Sequence, residues 1–256
     1  MMKRKLSLSI AVIFFAAAAV YGWLYANYSV PIFMYHSFDK NQVGEYAAVS
    51  LDTFRRQMDF IKQGGYNVMA LEEYCRFLRE KKSLPRNTVI LTADDGYKNN
   101  LAAVKVLKQR DFAATIFIIA NKIGDNNYLS QDDIDWFLDQ TRVDIGSHTL
   151  DHLYLPVLNN GAVKRQIKDS KGFLERMFNR EINTIAYPLG GFDERVLEEV
   201  KKSGYLCACA TNRGFSKKLE RFALRRIKVN ERDLGVRLWA KLSGFYNVFR
   251  RVRNPY

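Results

Sequence analysis

The sequence has few cysteines: three in 256 residues, at Cys75, Cys207 and Cys209. That number is too small for the disulfide framework that stabilises many small secreted domains. Cys207 and Cys209 lie two residues apart in one predicted strand, where a bridge between them is awkward, and Cys75 falls in a predicted helix. We therefore predict that all three are buried apolar thiols.

Several other sequence features are absent. There is no internal repeat, no low-complexity tract, no glycine-rich phosphate-binding loop and no nucleic-acid recognition motif. The net charge is nevertheless +13, and residues 213–256 hold thirteen Lys and Arg against three Asp and Glu, a local charge of +10. We do not expect nucleic acid as a partner, because the domain is predicted to lie outside the cytoplasm.

The basic C-terminal segment also has a helical pattern of apolar residues. Their spacing of three and four predicts an amphipathic helix over 233–256, with basic residues on the opposite side. The apolar positions are Leu234, Leu238, Leu242, Phe245, Phe249 and Val252. Two interpretations remain open: the helix packs on the catalytic domain with its charges solvated, or it contacts an anionic membrane surface or polymer.

The N-terminus resembles a targeting segment rather than part of the fold. A basic cluster at residues 3–5 precedes an apolar run from Leu6 to about Tyr25, and about 20 apolar residues are enough to span a bilayer. We predict a signal anchor or transmembrane helix within 1–28, with the catalytic domain on the extracytoplasmic side. A cleaved signal peptide is the alternative, because residues 16–19 are all alanine.

The rest of the chain alternates short apolar, β-branched runs with helical patterns. This alternation predicts an α/β fold, a distorted (β/α) barrel with about seven to eight strands over 29–232. The candidate strands are 31–36, 66–70, 88–94, 113–120, 143–147, 184–189, 205–211 and 222–229. Helical patterns follow Ser50 and cover roughly 71–82, 97–110, 160–179 and 193–203.

Histidine is as scarce as cysteine, and the three histidines lie at informative positions. His148 and His152 form a His-x-x-x-His segment, while Asp94 and Asp95 lie about fifty residues earlier. Asp95, His148 and His152 supply the one oxygen and two nitrogen ligands that suit a zinc-class ion. Asp94 is left beside the metal as a candidate general base. His36, like Asp94 and His148, ends a predicted strand, where barrel enzymes place functional groups.

At these residues the sequence resembles the polysaccharide deacetylases of carbohydrate esterase family four, the NodB-homology fold. Residues 92–96, Thr-Ala-Asp-Asp-Gly, resemble the first motif of the family, which implies that Asp94 is the catalytic base and Asp95 a metal ligand. Residues 148–152 match the second motif, which supplies the other two ligands. Residues 186–190, Ala-Tyr-Pro-Leu-Gly, resemble the third, which implies that Tyr187, Pro188 and Leu189 form a wall of the substrate groove.

The sequence departs from the family pattern at several positions. Ala93 and Leu189 replace aromatic residues, and Ala186 replaces an arginine that orients the base. No Leu-x-His segment follows the third motif. The early strand ending in His36 instead resembles a circularly permuted branch that includes poly-N-acetylglucosamine deacetylases. This resemblance makes His36 a candidate general acid, or a residue of the acyl pocket, and Arg226 a candidate for the missing arginine.

We therefore predict metal-assisted removal of N-acetyl groups from an amino sugar of a cell-envelope or secreted polysaccharide. The metal expected from the resemblance is Zn²⁺, with Co²⁺, Ni²⁺ or Fe²⁺ possible at the same ligands. Peptidoglycan, a secreted poly-N-acetylglucosamine and a lipid-linked amino sugar all remain open as substrates. Two other functions compete with catalysis: a glycan-binding module that has lost activity, and a membrane-associated scaffold that acts through its basic tail.

Overall fold

The computed structural model describes residues 14–23, 28–39, 48–85, 87–211, 221–246 and 253. Within these ranges, nine short strands form one parallel sheet that curves into a nearly closed barrel. The order of pairing is β8-β7-β6-β5-β4-β3-β1-β9, and β2 pairs with β3 off this path. The strands are β1 Ile32–Tyr35, β2 Asn67–Val68, β3 Thr88–Ala93, β4 Ala114–Ile118, β5 Val143–Ser147, β6 Thr184–Ala186, β7 Cys207–Ala210, β8 Leu224–Arg225 and β9 Ile227–Lys228.

One short segment closes the barrel. The sequence predicts a single strand over 222–229, but the structure divides it at Arg226 into β8 and β9. β8 pairs with β7, whereas β9 pairs with β1 at the other edge of the sheet. The chain therefore passes from one edge of the sheet to the other, from β8 to β9, through the single residue Arg226. This confirms the predicted barrel architecture, and it places β1 between β3 and β9.

Helices connect the strands, and most of them pack on the outside of the sheet. Serine and aspartate begin three of these helices, because their side chains accept a backbone N–H of the first turn: Ser50, Ser130 and Asp193. The sequence analysis missed the helix that Ser130 caps. The helices are α1 Leu51–Gln63, α2 Leu71–Glu80, α3 Asn100–Lys108, α4 Gln131–Gln140, α5 Asn160–Lys164, α6 Ser170–Phe178, α7 Glu194–Lys202 and α8 Val236–Leu242, with a π-helical turn Arg165–Asp169 between α5 and α6.

The strands are buried on both faces, as expected for parallel strands covered by helices. The large core cluster joins the outer face of the sheet to the helices. A smaller cluster lies on the inner face and includes Ile32, Ile90 and Phe117 from three different strands. Helix α2 contributes Leu71 and Tyr74 to this inner cluster. The barrel interior is thus filled with apolar side chains rather than forming a channel.

The prediction of three free thiols is wrong. Cys75 on α2 and Cys207 at the start of β7 form a disulfide that spans 132 residues of chain, with Cα atoms 6.0 Å apart. Sequence spacing could not indicate this pairing, because the two residues meet only when α2 packs against the inner face of the sheet. Cys209 is the one free cysteine and is buried, as predicted. Burial raises the pKa of its thiol to about 12, so it is an inert side chain.

The C-terminal helix is shorter than predicted. It covers Val236–Leu242 rather than 233–256, and the chain turns at Gly244, whose φ of 78° suits glycine. Leu238 and Leu242 are buried against the core, which agrees with packing on the domain. Phe249 and Val252 of the predicted stripe lie outside the described residues.

The predicted membrane anchor lies only partly within the described residues. Residues 14–23 are helical, while 1–13 and 24–27 fall outside the description. In the part of the chain that the structure describes, no helix has the length and apolar character needed to span a bilayer. After this segment, Ser29 donates its backbone N–H to the Gly244 carbonyl (2.9 Å), so the chain enters the domain beside the end of α8.

Candidate active site

The predicted site residues meet at the carboxyl ends of the strands. His36 follows β1, Asp94 and Asp95 follow β3, and His148 follows β5. Together with Arg226, between β8 and β9, they line one cavity of about 130 Å³. Residues that are far apart in sequence meet here because every strand points the same way, so all the strand ends share one rim of the barrel.

Asp95, His148 and His152 form a compact set of possible metal ligands. The Oδ1 atom of Asp95 lies 3.5 Å from Nε2 of His148 and 3.5 Å from Nε2 of His152. The donor atoms of the three residues all lie within 4.8 Å of one another. His148 donates its Nδ1–H to the Ala186 carbonyl (2.8 Å), which leaves Nε2 free to bind a metal. The set therefore fits a divalent ion of the zinc class.

Left-handed backbone conformations cluster around this site. Asp95, Thr149, His152 and Leu189 all have left-handed φ angles, of 72°, 68°, 60° and 55°. Such angles are unfavourable for residues other than glycine, and they cluster where a site requires them. The Thr149 hydroxyl accepts the His152 N–H (3.1 Å), which helps to hold one of these turns.

Asp94 forms a buried ion pair with Arg226. Nη1 of Arg226 donates to one carboxylate oxygen at 2.5 Å and Nη2 to the other at 2.7 Å. Arg226 also donates to the Ala210 carbonyl (3.1 Å) and the Thr92 hydroxyl (3.3 Å), so its guanidinium makes further hydrogen bonds outside the ion pair. Burial alone would raise the pKa of Asp94, but Arg226, followed by His148 and His36, holds it well below its ordinary value. Asp94 is therefore ionised at neutral pH.

His36 lies at the edge of this pair. Its Nε2 is 3.8 Å from Oδ2 of Asp94, and its side chain is 24% exposed to the cavity. Burial lowers the pKa of His36, although the charges of Asp94 and Asp95 oppose the shift. Asn100 donates to the His36 carbonyl (2.8 Å) and so holds the end of β1. The sequence analysis missed Asn100, because nothing in its spacing marks a contact with β1.

The three residues of the predicted groove wall have different environments. Leu189 lines the cavity and its side chain is 63% exposed. Tyr187 also lines the cavity, and its hydroxyl donates to the Phe222 carbonyl (2.9 Å). Pro188 is buried, and the described residues that line the cavity do not include it. Direct contact of these three residues with substrate stays a prediction.

Comparison with known proteins identifies the family. A model of the polysaccharide deacetylases matches residues 81–208. YxkH of Bacillus subtilis (strain 168), which is named as a polysaccharide deacetylase, is 32% identical over 203 residues, covering 78% of this chain and 71% of that protein. The chain belongs to the polysaccharide deacetylase family. This confirms the family and the enzyme class predicted from the motifs.

Other relatives and solved structures are similar to the deacetylase at lower sequence identity. A poly-β-1,6-N-acetyl-D-glucosamine N-deacetylase of Staphylococcus epidermidis is 27% identical over 174 residues, covering 61% of this chain and 59% of that protein. The deacetylase PplD of Streptococcus pyogenes, solved with acetate, is 25% identical with a TM-score of 0.77 over 83% of this chain and 97% of that one. IcaB of Ammonifex degensii shares the fold, at 19% identity and a TM-score of 0.73 over 86% and 97%.

We expect each of the changes Asp95→Ala, His148→Ala and His152→Ala to abolish bound metal and activity together, because each removes one of three ligands. Asp151→Asn is the matched control. Asp151 lies between the two histidines, but its carboxylate accepts hydrogen bonds from Asn121 (2.6 Å) and Gln166 (2.6 Å) instead. Elemental analysis of the purified variants measures the metal. Full occupancy in any of the first three would remove that residue from the ligand set.

Arg226→Met should leave Asp94 buried without its partner, which typically costs about 3–5 kcal/mol. The pKa of Asp94 should then rise because the opposing charge is gone, so activity should fall away at a higher pH than in the wild type. Arg226→Lys keeps the charge but loses the two-pronged bond, and should lie between the two. Thermal melting and the acid limb of kcat/KM measure these effects. An unchanged acid limb in Arg226→Met would show that Arg226 does not control Asp94.

Proposed function

We propose that this deacetylase is a metal-dependent hydrolase that removes N-acetyl groups from the amino sugars of an envelope or secreted polysaccharide. The observation that carries the proposal is the arrangement of the Asp94–Arg226 pair beside Asp95, His148 and His152. One carboxylate is held ionised, and the other lies among imidazole nitrogens. Metal-assisted hydrolysis of an amide uses a base and a Lewis acid, and this arrangement supplies a place for each.

The metal would be held by Asp95, His148 and His152, with Zn²⁺ as the first choice and Co²⁺, Ni²⁺ or Fe²⁺ as alternatives. When bound, such an ion polarises the amide carbonyl and lowers the pKa of water. Among the described residues, the set comprises three donors, all of them protein side chains. That number is typical of catalytic zinc sites rather than structural ones, which have four.

The remaining residues move protons and stabilise charge. Asp94 accepts a proton from the attacking water, and Arg226 holds its two oxygens in one orientation throughout. A backbone N–H near Leu189 stabilises the oxyanion of the tetrahedral intermediate. We assign His36 as the acid that protonates the leaving amine, because it lines the cavity and its Nε2 lies 3.8 Å from Oδ2 of Asp94. The products are acetate and a free amine on the sugar.

A polymer of N-acetylglucosamine is the substrate that we favour. The staphylococcal relatives are named for poly-β-1,6-N-acetyl-D-glucosamine. The topology also favours a polymer over a lipid-linked sugar. A membrane anchor would enter the domain before β1, at the amino ends of the strands, whereas the cavity opens at their carboxyl ends. The site would then face away from the bilayer.

We further propose that the domain lies outside the cytoplasm, attached by the N-terminal segment or released after its cleavage. The Cys75–Cys207 disulfide supports this location, because disulfides persist mainly in oxidising compartments. The exposed Val236 and Trp239 of α8 lie on the helix that ends beside the point where the N-terminal segment enters the domain. A weak second contact with anionic lipid through the basic C-terminal residues is compatible with this arrangement.

Acetate release from β-1,6-linked N-acetylglucosamine oligomers, peptidoglycan fragments and a lipid-linked amino sugar tests the function directly. The full-length protein loaded with Zn²⁺ should act best on the oligomers. Asp94→Asn and His36→Gln should both keep the metal and slow acetate release, Asp94→Asn by about 10²–10⁴-fold, because a positioned base contributes that much. Metal binding without acetate release from any substrate would favour the inactive glycan-binding module.

The location can be tested on protein from its native cells, extracted in the presence of an alkylating agent. Unfolding without reductant should expose one free thiol per chain, that of Cys209, because Cys75 and Cys207 are joined. The protein should be found in the membrane fraction, or in the medium if the N-terminal segment is cleaved. Three free thiols and a cytoplasmic fraction would contradict the proposed location.

A further inference from the structure

The loop between β4 and α4, residues 119–130, lies between the two segments that carry the proposed metal ligands. On one side, the Leu129 N–H donates to the Gly96 carbonyl (2.9 Å), next to Asp95. On the other side, the Ala120 N–H donates to the Thr149 carbonyl (3.0 Å), next to His148. The loop is therefore held at both ends by backbone hydrogen bonds to the segments that carry the proposed ligands, and it lies next to the cavity without contributing to its lining.

Two tyrosine rings stack beside the site, one of them on this loop. Tyr97, directly after the Asp94-Asp95-Gly96 turn, packs its ring against that of Tyr128 on the loop, with ring centres 5.3 Å apart and planes at 26°. Their backbones also meet in an antiparallel β-bridge. Both side chains are only half-buried. We call this pair the tyrosine shelf.

Polar groups accompany the shelf. The Lys122 ammonium lies 5.8 Å from the centre of the Tyr128 ring and also donates to Asp125 (3.0 Å). His152, the most exposed of the three proposed ligands, has a side chain that is 30% accessible, so the metal site is open to solvent. Tyr97 also hydrogen-bonds through its side chain to Asp95, so the stacked pair is joined to the site while part of its aromatic surface stays accessible.

Aromatic surface next to hydrogen-bonding groups suits a sugar ring. A pyranose has a face of C–H groups that packs on an aromatic ring, and hydroxyl groups at its edge that reach neighbouring polar side chains. We propose that the tyrosine shelf binds a second sugar ring of the polymer, adjacent to the one that loses its acetyl group. This inference rests on the proposed function, and it makes the enzyme selective for a chain over a single sugar.

The test measures binding of N-acetylglucosamine and its β-1,6-linked hexamer by calorimetry to the full-length protein carrying Asp94→Asn, which separates binding from turnover. Adding Tyr128→Leu keeps apolar bulk but removes the ring. The Kd for the hexamer should rise about three- to tenfold, with less change for the monosaccharide. Tyr128→Phe should keep the hexamer affinity, because stacking needs the ring and not the hydroxyl. Trp239→Ala is the control, since it removes an exposed aromatic side chain from α8.

Unchanged hexamer affinity in Tyr128→Leu would overturn the inference, as would an equal loss for both ligands or no hexamer binding to the Asp94→Asn protein. The melting temperature of each variant identifies misfolding. If the wild type releases no acetate and the hexamer still binds through Tyr128, the proposed activity fails while the sugar-binding shelf stands. If acetate is released and Tyr128→Leu is indistinguishable from wild type on the hexamer, the shelf fails while the activity stands.

Discussion

The buried ion pair between Asp94 and Arg226 is the interaction on which the site depends. Removing two charges from water costs several kcal/mol for each ion, and only good geometry with further hydrogen bonds offsets it. Arg226 meets this condition through both oxygens of Asp94, the Ala210 carbonyl and the Thr92 hydroxyl. Arg226 is also the residue that separates β8 from β9. The same residue therefore lies where the barrel closes and orients the proposed base.

The apolar packing of the barrel interior and the candidate active site lie at opposite ends of the barrel axis. Toward the amino ends of the strands, the inner face is apolar and is joined to α2 by the Cys75–Cys207 disulfide. At the carboxyl ends, the same face carries Asp94, His148 and Arg226, with left-handed turns at Asp95 and elsewhere. Strained turns persist only where the surroundings hold them in place. Here the strands below and hydrogen bonds such as that of His148 to Ala186 provide this support.

Short motifs predicted the position of the site well, because a strand that ends in Asp-Asp or His places those groups on a known rim of a barrel. The failures have physical causes too. The sequence analysis missed α4, whose apolar face is narrow, with Ile134 and Phe137 as its buried residues. Periodicity extended α8 past Gly244, where the backbone turns. The disulfide joins residues that are brought together by the packing of α2 against the inner face of the sheet.

The sequence by itself determined the order of most strands and helices, the candidate ligands Asp95, His148 and His152, and the candidate base Asp94, since these follow from residue type and local spacing. Only the tertiary structure decided which arginine faces Asp94, which cysteines pair, and which residues of the third motif reach the cavity. Each of these depends on contacts between segments more than a hundred residues apart, or on a single left-handed residue such as Leu189. Local patterns carry no information about such contacts, because closure of the barrel creates them.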